Sequence, residues 1–364
     1  MIKYVDIGKQ WKDEKSKLIP LLNKVITSEF HVNGKQINKF EQSICKLLNI
    51  KYCVALNSGT DALVCGLIAI GVRRGDEVIT PPNSFIASTS AISHIGAVPI
   101  FADVNKDQSI NPDEILKKIT IKTKAIMPVH LTGRMCDMEK IKKISNKYKI
   151  PIIEDAAQSI LSKYNNKLSG TMGLVGCFSA HPLKNLNAIG DAGFVVTNNY
   201  SIYKKIKLMR NHNLIDRNKV NNFGFVSRMD TIQACILNYR IKNLKKIIGI
   251  RRKNAELYKK YLNNEKIFFN PNTQYHYDTY HTFVIQVNQR NKLQNYLKKY
   301  GIESLIHYPV PIHLQNASKK YLYKKGDFPI AEKQAKRILS LPIHQYLKKK
   351  EIKFISELIN KFYL

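Results

Sequence analysis

The stretch CFSAHPLKNLNAIGDAGFVVTN, Cys177 to Asn198, carries one lysine between two short apolar runs. CFSA and GFVVTN are continuous apolar runs bounded by Gly and Pro, the pattern of buried strands. Lys184 therefore belongs on a turn at the edge of a sheet, with Ser179 before it and Gly190-Asp191-Ala192-Gly193 after it. Burying an ammonium is expensive, so a core lysine is rare unless paired. A desolvated lysine amine suits carbonyl chemistry, in which it forms a Schiff base. In so lysine-rich a chain, a surface lysine on a hairpin is the competing reading.

Two further stretches fit the first reading. Pro151 to Ser159, PIIEDAAQS, is an apolar strand ending in a carboxylate, which puts Asp155 at the strand's carboxyl end. Ligands of open α/β sheets bind outside those ends. A pyridoxal phosphate site needs a lysine for the aldehyde and an acid for the pyridinium nitrogen. Asp155 could equally be the N-cap of the segment AAQS. Cys53 to Asn57 then reads as a strand, and Ser58-Gly59-Thr60-Asp61-Ala62-Leu63 opens a helix. Gly59 permits close backbone approach, and the first N–H groups of the helix point at an anion. Ser58 or Thr60 could instead be a plain cap.

Taken with NSGTDAL, GDEVITPPNSFIAS, PVHLTGRMCDM, EDAAQS, HPLKNL with GDAG, SRMDTIQA, IHYPVPIHLQ and ILSLPIH, the chain resembles the DegT/DnrJ-type sugar aminotransferases nearly end to end. The resemblance implies an α/β fold of type I. It has a mostly parallel central sheet flanked by helices and a smaller α+β C-terminal domain. It implies pyridoxal 5′-phosphate held as a Schiff base by Lys184, with Asp155 keeping the ring nitrogen protonated. Ser58, Gly59, Thr60 and Ser179 hold the phosphate, Phe85 stacks on the ring, and Gln158 hydrogen-bonds the ring hydroxyl. His307 and His313, in a Pro-rich loop over the site, become substrate contacts. Many relatives have asparagine where Val226 stands, reaching the partner subunit's phosphate. Valine cannot donate that bond, which leaves Ser227 as the substitute. A homodimer with shared active sites is the implied assembly.

Residue patterns agree with this outline. A chain of 364 residues can bury a sizeable core and form two domains, here residues 1–247 with an N-terminal helical segment and 248–364. Helical patterns run over residues 8–30 and 39–48, and a long one from Asp230 to about Ile247. Strand patterns alternating with helices predict βαβ units and a mostly parallel sheet. His281 to Val287 reads as a strand, and Arg290 to Tyr300 as a helix capped by Gly301. His130, in PVH, reads as a structural histidine.

The net charge of +32 comes from 59 basic and 27 acidic residues. The lysines spread over helices without interleaved aromatics, which argues for compositional bias and against nucleic acid. Such a field also gathers anionic substrates. No apolar run approaches the roughly 20 residues of a membrane span. Six scattered cysteines without a C-x-x-C pair point to free thiols in a reducing cytosol.

The function expected from the resemblance is transamination of a nucleotide-linked keto-deoxysugar, with glutamate as donor, for amino-sugar or cell-surface polysaccharide biosynthesis. The GDAG and EDAAQ pairing resembles members acting on dTDP-linked 3-keto-6-deoxyhexoses. The alternatives are a 4-keto sugar aminotransferase, a sugar dehydratase, and a non-catalytic regulator on the same fold. An intact Lys184 and the absence of a cysteine cluster count against the dehydratase.

Overall fold

The computed structural model describes residues 1–220, 222–263 and 265–364. Its central sheet is built in chain order from Tyr52–Leu56, Glu77–Thr80, Val98–Phe101, Thr123–Ile126, Ile153–Asp155, Val175–Ser179 and Gly193–Thr197. Across the sheet, Tyr52–Leu56 lies beside Gly193–Thr197, then Val175–Ser179, then Ile153–Asp155. Parallel bridges from Ile126 to Ile152 and from Val129 to Asp155 continue it into Thr123–Ile126, Glu77–Thr80 and Val98–Phe101. Gly193–Thr197 runs antiparallel to both neighbours, and the other strands are parallel to one another.

The continuous apolar runs have a simple cause. Side chains alternate across a strand, and here both faces are covered. Cys53, Ala55, Phe194 and Val196 enter one core, with Phe40 and Ile44 of helix Lys35–Leu48. Val54, Leu56 and Val195 enter the other, with Leu63 and Leu67 of helix Gly59–Ala69. Phe178 stacks on Phe194 at 4.8 Å between ring centroids, which locks the two strands that flank the Lys184 loop.

One expectation needs correcting here. Lys184 is not at a sheet edge. Its loop joins two interior strands, whose ends pair Ser179 with Gly193, and it stands over the middle of the sheet. An apolar run reports burial on both faces but not place in the strand order.

The long helical pattern also divides differently. Thr231–Arg240 passes through a 3-10 turn at Ile241–Asn243 into Leu244–Tyr261. The basic residues of 245–253 are mostly solvated, while Leu244 and Ile248 pack on the central sheet. Ala255 and Tyr258 pack instead on a second core around the antiparallel strands Ile267–Phe269, Phe283–Val287 and Ile338–Leu341. One helix thus enters both cores. Helices Arg290–Lys299 and Lys349–Phe362 cover the second sheet, the first ending at Gly301 with φ +71°. The first residues join this part too, because Ile2 bridges to Ile302. The N-terminal helix is Ile7–Ile26, capped by Asp6, which accepts from the Lys9 N–H at 3.0 Å. Among the described residues no helix is long and apolar enough to cross a membrane.

Candidate active site

The carboxyl ends of Ile153–Asp155 and Val175–Ser179, neighbours in the sheet, bring Asp155 and the Lys184 loop to one place. Lys184 opens no helix; its N–H donates to the His181 carbonyl in a tight turn, at 2.8 Å. Burial pushes its ammonium down to about 8, against the pull of the Asp155 carboxylate. Asp155 is itself buried, which raises its carboxyl above the usual range. Four groups oppose that rise: the Ser88 hydroxyl at 2.7 Å, the Ala157 N–H at 3.1 Å, and the charges of Lys184 and His130. The Ala157 bond shows that Asp155 caps its own turn as well as facing the cleft. A cationic ring nitrogen beside this carboxyl favours its charged form.

The anion turn forms as its sequence suggests. Ser58 is the N-cap of helix Gly59–Ala69, its hydroxyl accepting from the Asp61 N–H at 3.1 Å. The amides of Gly59 and Thr60 are at the helix positions that lack intrahelical partners. The turn is pressed against strand ends. A Cβ on Gly59 would stand 2.6 Å from the Ser179 Cβ, and one on Gly193 would overlap the Ser58 carbonyl. Ser227 is fully buried behind the turn; its hydroxyl donates to Asp61 at 2.7 Å and accepts from the Asn57 N–H at 3.4 Å. Its bonds therefore brace the turn from behind. Val226 beside it is half exposed.

Phe85 is 54% exposed, so it is not core. Its ring faces Tyr308 at 5.6 Å. Gln158 accepts from the Thr132 N–H at 2.8 Å and donates to the Tyr308 hydroxyl at 3.4 Å. His307 is held by Ser340 at 2.9 Å and lies within the field of Lys184, and burial with that charge pushes it down to about 4. His313 lies apart from this group. It is buried against Phe328 and paired with Glu332 at 3.0 Å, a core contact that gives no support to the expected substrate role.

Several groups here were not singled out from sequence. Tyr308 had no signal beyond its loop, and Ser88 none beyond its place on helix Ile86–His94. His181 and His281 both feel Lys184, and each is pushed below its ordinary value by burial first and that charge second. His130 is buried on Glu154 at 2.9 Å, the structural role expected of it. The residues present fit pyridoxal phosphate. A low-lying amine, a buried acid and a Cβ-free anion cradle are the donor set that cofactor needs.

The family model for the DegT/DnrJ/EryC1/StrS aminotransferase family matches residues 12–360. A "Pleiotropic regulatory protein" from Geobacillus stearothermophilus is 35% identical over 99% of this chain and 98% of its own length. A "dTDP-3-amino-3,6-dideoxy-alpha-D-galactopyranose transaminase" from Aneurinibacillus thermoaerophilus is 35% identical over 100% and 99%. The solved structure of S. venezuelae DesV, in complex with a ketimine intermediate, is 30% identical and covers 99% of this chain and 98% of that one, with a TM-score of 0.97. A match spanning nearly every residue, together with a lysine and acid set over the middle of a type I sheet, makes this chain a member of the DegT/DnrJ/EryC1/StrS aminotransferase family.

Proposed function

We propose that this protein moves an amino group from glutamate to the C3 ketone of a 6-deoxyhexose carried on dTDP. The chain is a nucleotide-sugar aminotransferase, and its cofactor is pyridoxal phosphate. The observation that carries the reading is the lowered Lys184 amine facing the buried Asp155 carboxyl at adjacent strand ends. The 35% identity to the dTDP-3-amino-3,6-dideoxygalactose transaminase supports the choice of sugar, nucleotide and carbon.

When bound, the cofactor supplies a cationic ring that accepts electrons from a carbon losing its proton. Asp155 holds the proton at the ring nitrogen. Lys184 binds the aldehyde, and its free amine moves the proton at the reacting carbon. Gly59, Thr60 and Ser179 hold the phosphate, braced by Ser58 and Ser227. Phe85 and Tyr308 shield the ring from water, and Gln158 orients the ring hydroxyl. His307 lies where it can meet the sugar.

A homodimer with shared sites is part of the proposal. Phe30, Val32, Ile189, Phe223 and Val226 are exposed apolar residues near the start of helix Thr231–Arg240 or the Ser227 brace. Six free cysteines support a cytosolic setting.

The second reading is a regulator, as the Geobacillus relative's name suggests. A regulator has no use for an amine lowered toward neutrality. Incubating the cofactor-loaded protein with glutamate and matched 3-keto and 4-keto dTDP-sugars, then locating the new C–N bond by NMR, separates the readings. Amination at C3 is expected. Exclusive amination at C4 overturns the position, and no amination of either sugar favours the regulator.

A further inference from the structure

Two acids stand side by side on strand Ile153–Asp155, and their surroundings differ. Glu154 and Asp155 are both buried, and alternation along the strand sends them to opposite faces. A carboxylate offers about four acceptor sites. Glu154 fills its sites within the chain. Its Oε2 bonds to the His130 ring and the Gly170 N–H, and its Oε1 to the N–H groups of Met172 and Gly173. Asp155 is given fewer donors. Oδ2 accepts from the Ser88 hydroxyl at 2.7 Å, and Oδ1 from the Ala157 N–H at 3.1 Å. Among the described residues no other group donates to it. A buried acid left part-satisfied in this way is costly unless a ligand takes the open side.

Ser88 is itself 1% exposed, in the first turn of helix Ile86–His94. Its hydroxyl has two acceptors in reach, Asp155 at 2.7 Å and the Phe85 carbonyl at 3.4 Å. An ionised Asp155 takes the shorter bond. A proton on Oδ2 would have to be donated to Ser88, turning that hydroxyl toward the more distant Phe85 carbonyl. A proton on the open side would weaken the Ser88 bond from charge-assisted to neutral. Both costs favour the anion. Around the acid, Lys184 and His130 favour the anion too, while Cys177 and Tyr308 are kept neutral by burial.

We propose that Ser88 is a positioning residue for the reaction: its hydroxyl keeps Asp155 ionised and turns the open side of the carboxylate to the ring nitrogen. This rests on the pairing of Asp155 with the ring and is independent of the sugar. The start of one helix then sets both the ring face, through Phe85, and the ring's acid, through Ser88.

The test uses protein loaded with cofactor carrying nitrogen-15 in its pyridine ring. Ser88→Ala is expected to move the ring resonance toward that of a neutral pyridine. It should also slow the glutamate half-reaction at saturation by about 10- to 100-fold, the loss of one charge-assisted bond. Ser88→Thr keeps the hydroxyl and recovers most of both. An unmoved resonance in Ser88→Ala, whatever its melting temperature, means that the hydroxyl only packs the helix, and that overturns the proposal. If the variant does not retain cofactor, carbon-13 NMR of the Asp155 carboxyl in the cofactor-free protein decides. Ionisation at a higher pH than in the parent is expected, and ionisation at the same pH overturns the role. Asp155→Asn must move the resonance at least as far. If it does not, the acid is not the ring's partner, and the proposal falls with that assignment. The resonance is read before any sugar is added, so a protein that aminates neither sugar loses the sugar assignment alone.

Discussion

Lys184 works because of where its charge is not. At a value of about 8, roughly a tenth of the amine is free base at pH 7, against about one part in three thousand at the ordinary lysine value. Only the free base attacks an aldehyde. The rate at which the cofactor-free protein takes up pyridoxal phosphate should therefore rise with pH and level off above a midpoint near 8. Stopped-flow absorbance checks this, and a rate still climbing steeply at pH 9.5 would contradict the desolvated amine. Linkage gives the same sign. The folded pKa lies below the unfolded one, so the unfolded chain binds more protons between the two values. Stability of the cofactor-free protein rises with pH across that window. The residue pair was legible in sequence because Asp155 ends an apolar strand and Lys184 lies on the loop between two others, where a charged side chain stands out. Ser88 and His281 were not, because a hydroxyl or an imidazole in a helix or loop looks the same in sequence whether it faces solvent or a cleft.

The anion turn depends on what is missing from two glycines. Gly59 lies against Ser179, and Gly193 lies under the Ser58 carbonyl. These contacts join the helix start to the strands on either side of the Lys184 loop. Gly193→Ala must push that strand away from Ser58, at an overpacking cost of about 1–3 kcal/mol. It also shifts the amides of Gly59 and Thr60. The variant should show a lower urea midpoint and lose cofactor on dialysis faster than the parent. An unchanged midpoint with full cofactor retention would refute the cradle. At this scale the sequence is informative about the turn, because strand, small residues and helix opening are contiguous. It is less so about helix Leu244–Tyr261. That helix takes apolar contacts from two cores, and no local pattern says where the first core ends.

A chain carrying +32 repels its own copies, so a dimer must be held by something short-ranged and apolar. At physiological salt such repulsion is screened beyond about 8 Å. The exposed residues around the Ser227 brace have the right character. Phe223 is 99% exposed, Val226 pairs its backbone with Asn211, and Val32 pairs with Asp230, so the patch borders the segment that supports the anion turn. That placement would let a partner subunit complete the phosphate site where Val226 leaves a bond unmade. In a two-fold contact Phe223→Ser removes a ring twice. Each loss costs about 1.5–3 kcal/mol, so dissociation should strengthen by about 100-fold or more. Sedimentation should find the wild type dimeric at micromolar concentration, and more strongly so as salt rises. The variant should dissociate in the same range, and its turnover per subunit should then depend on protein concentration. A wild type that is monomeric and fully active on dilution would rule out the shared site, whatever the variant does.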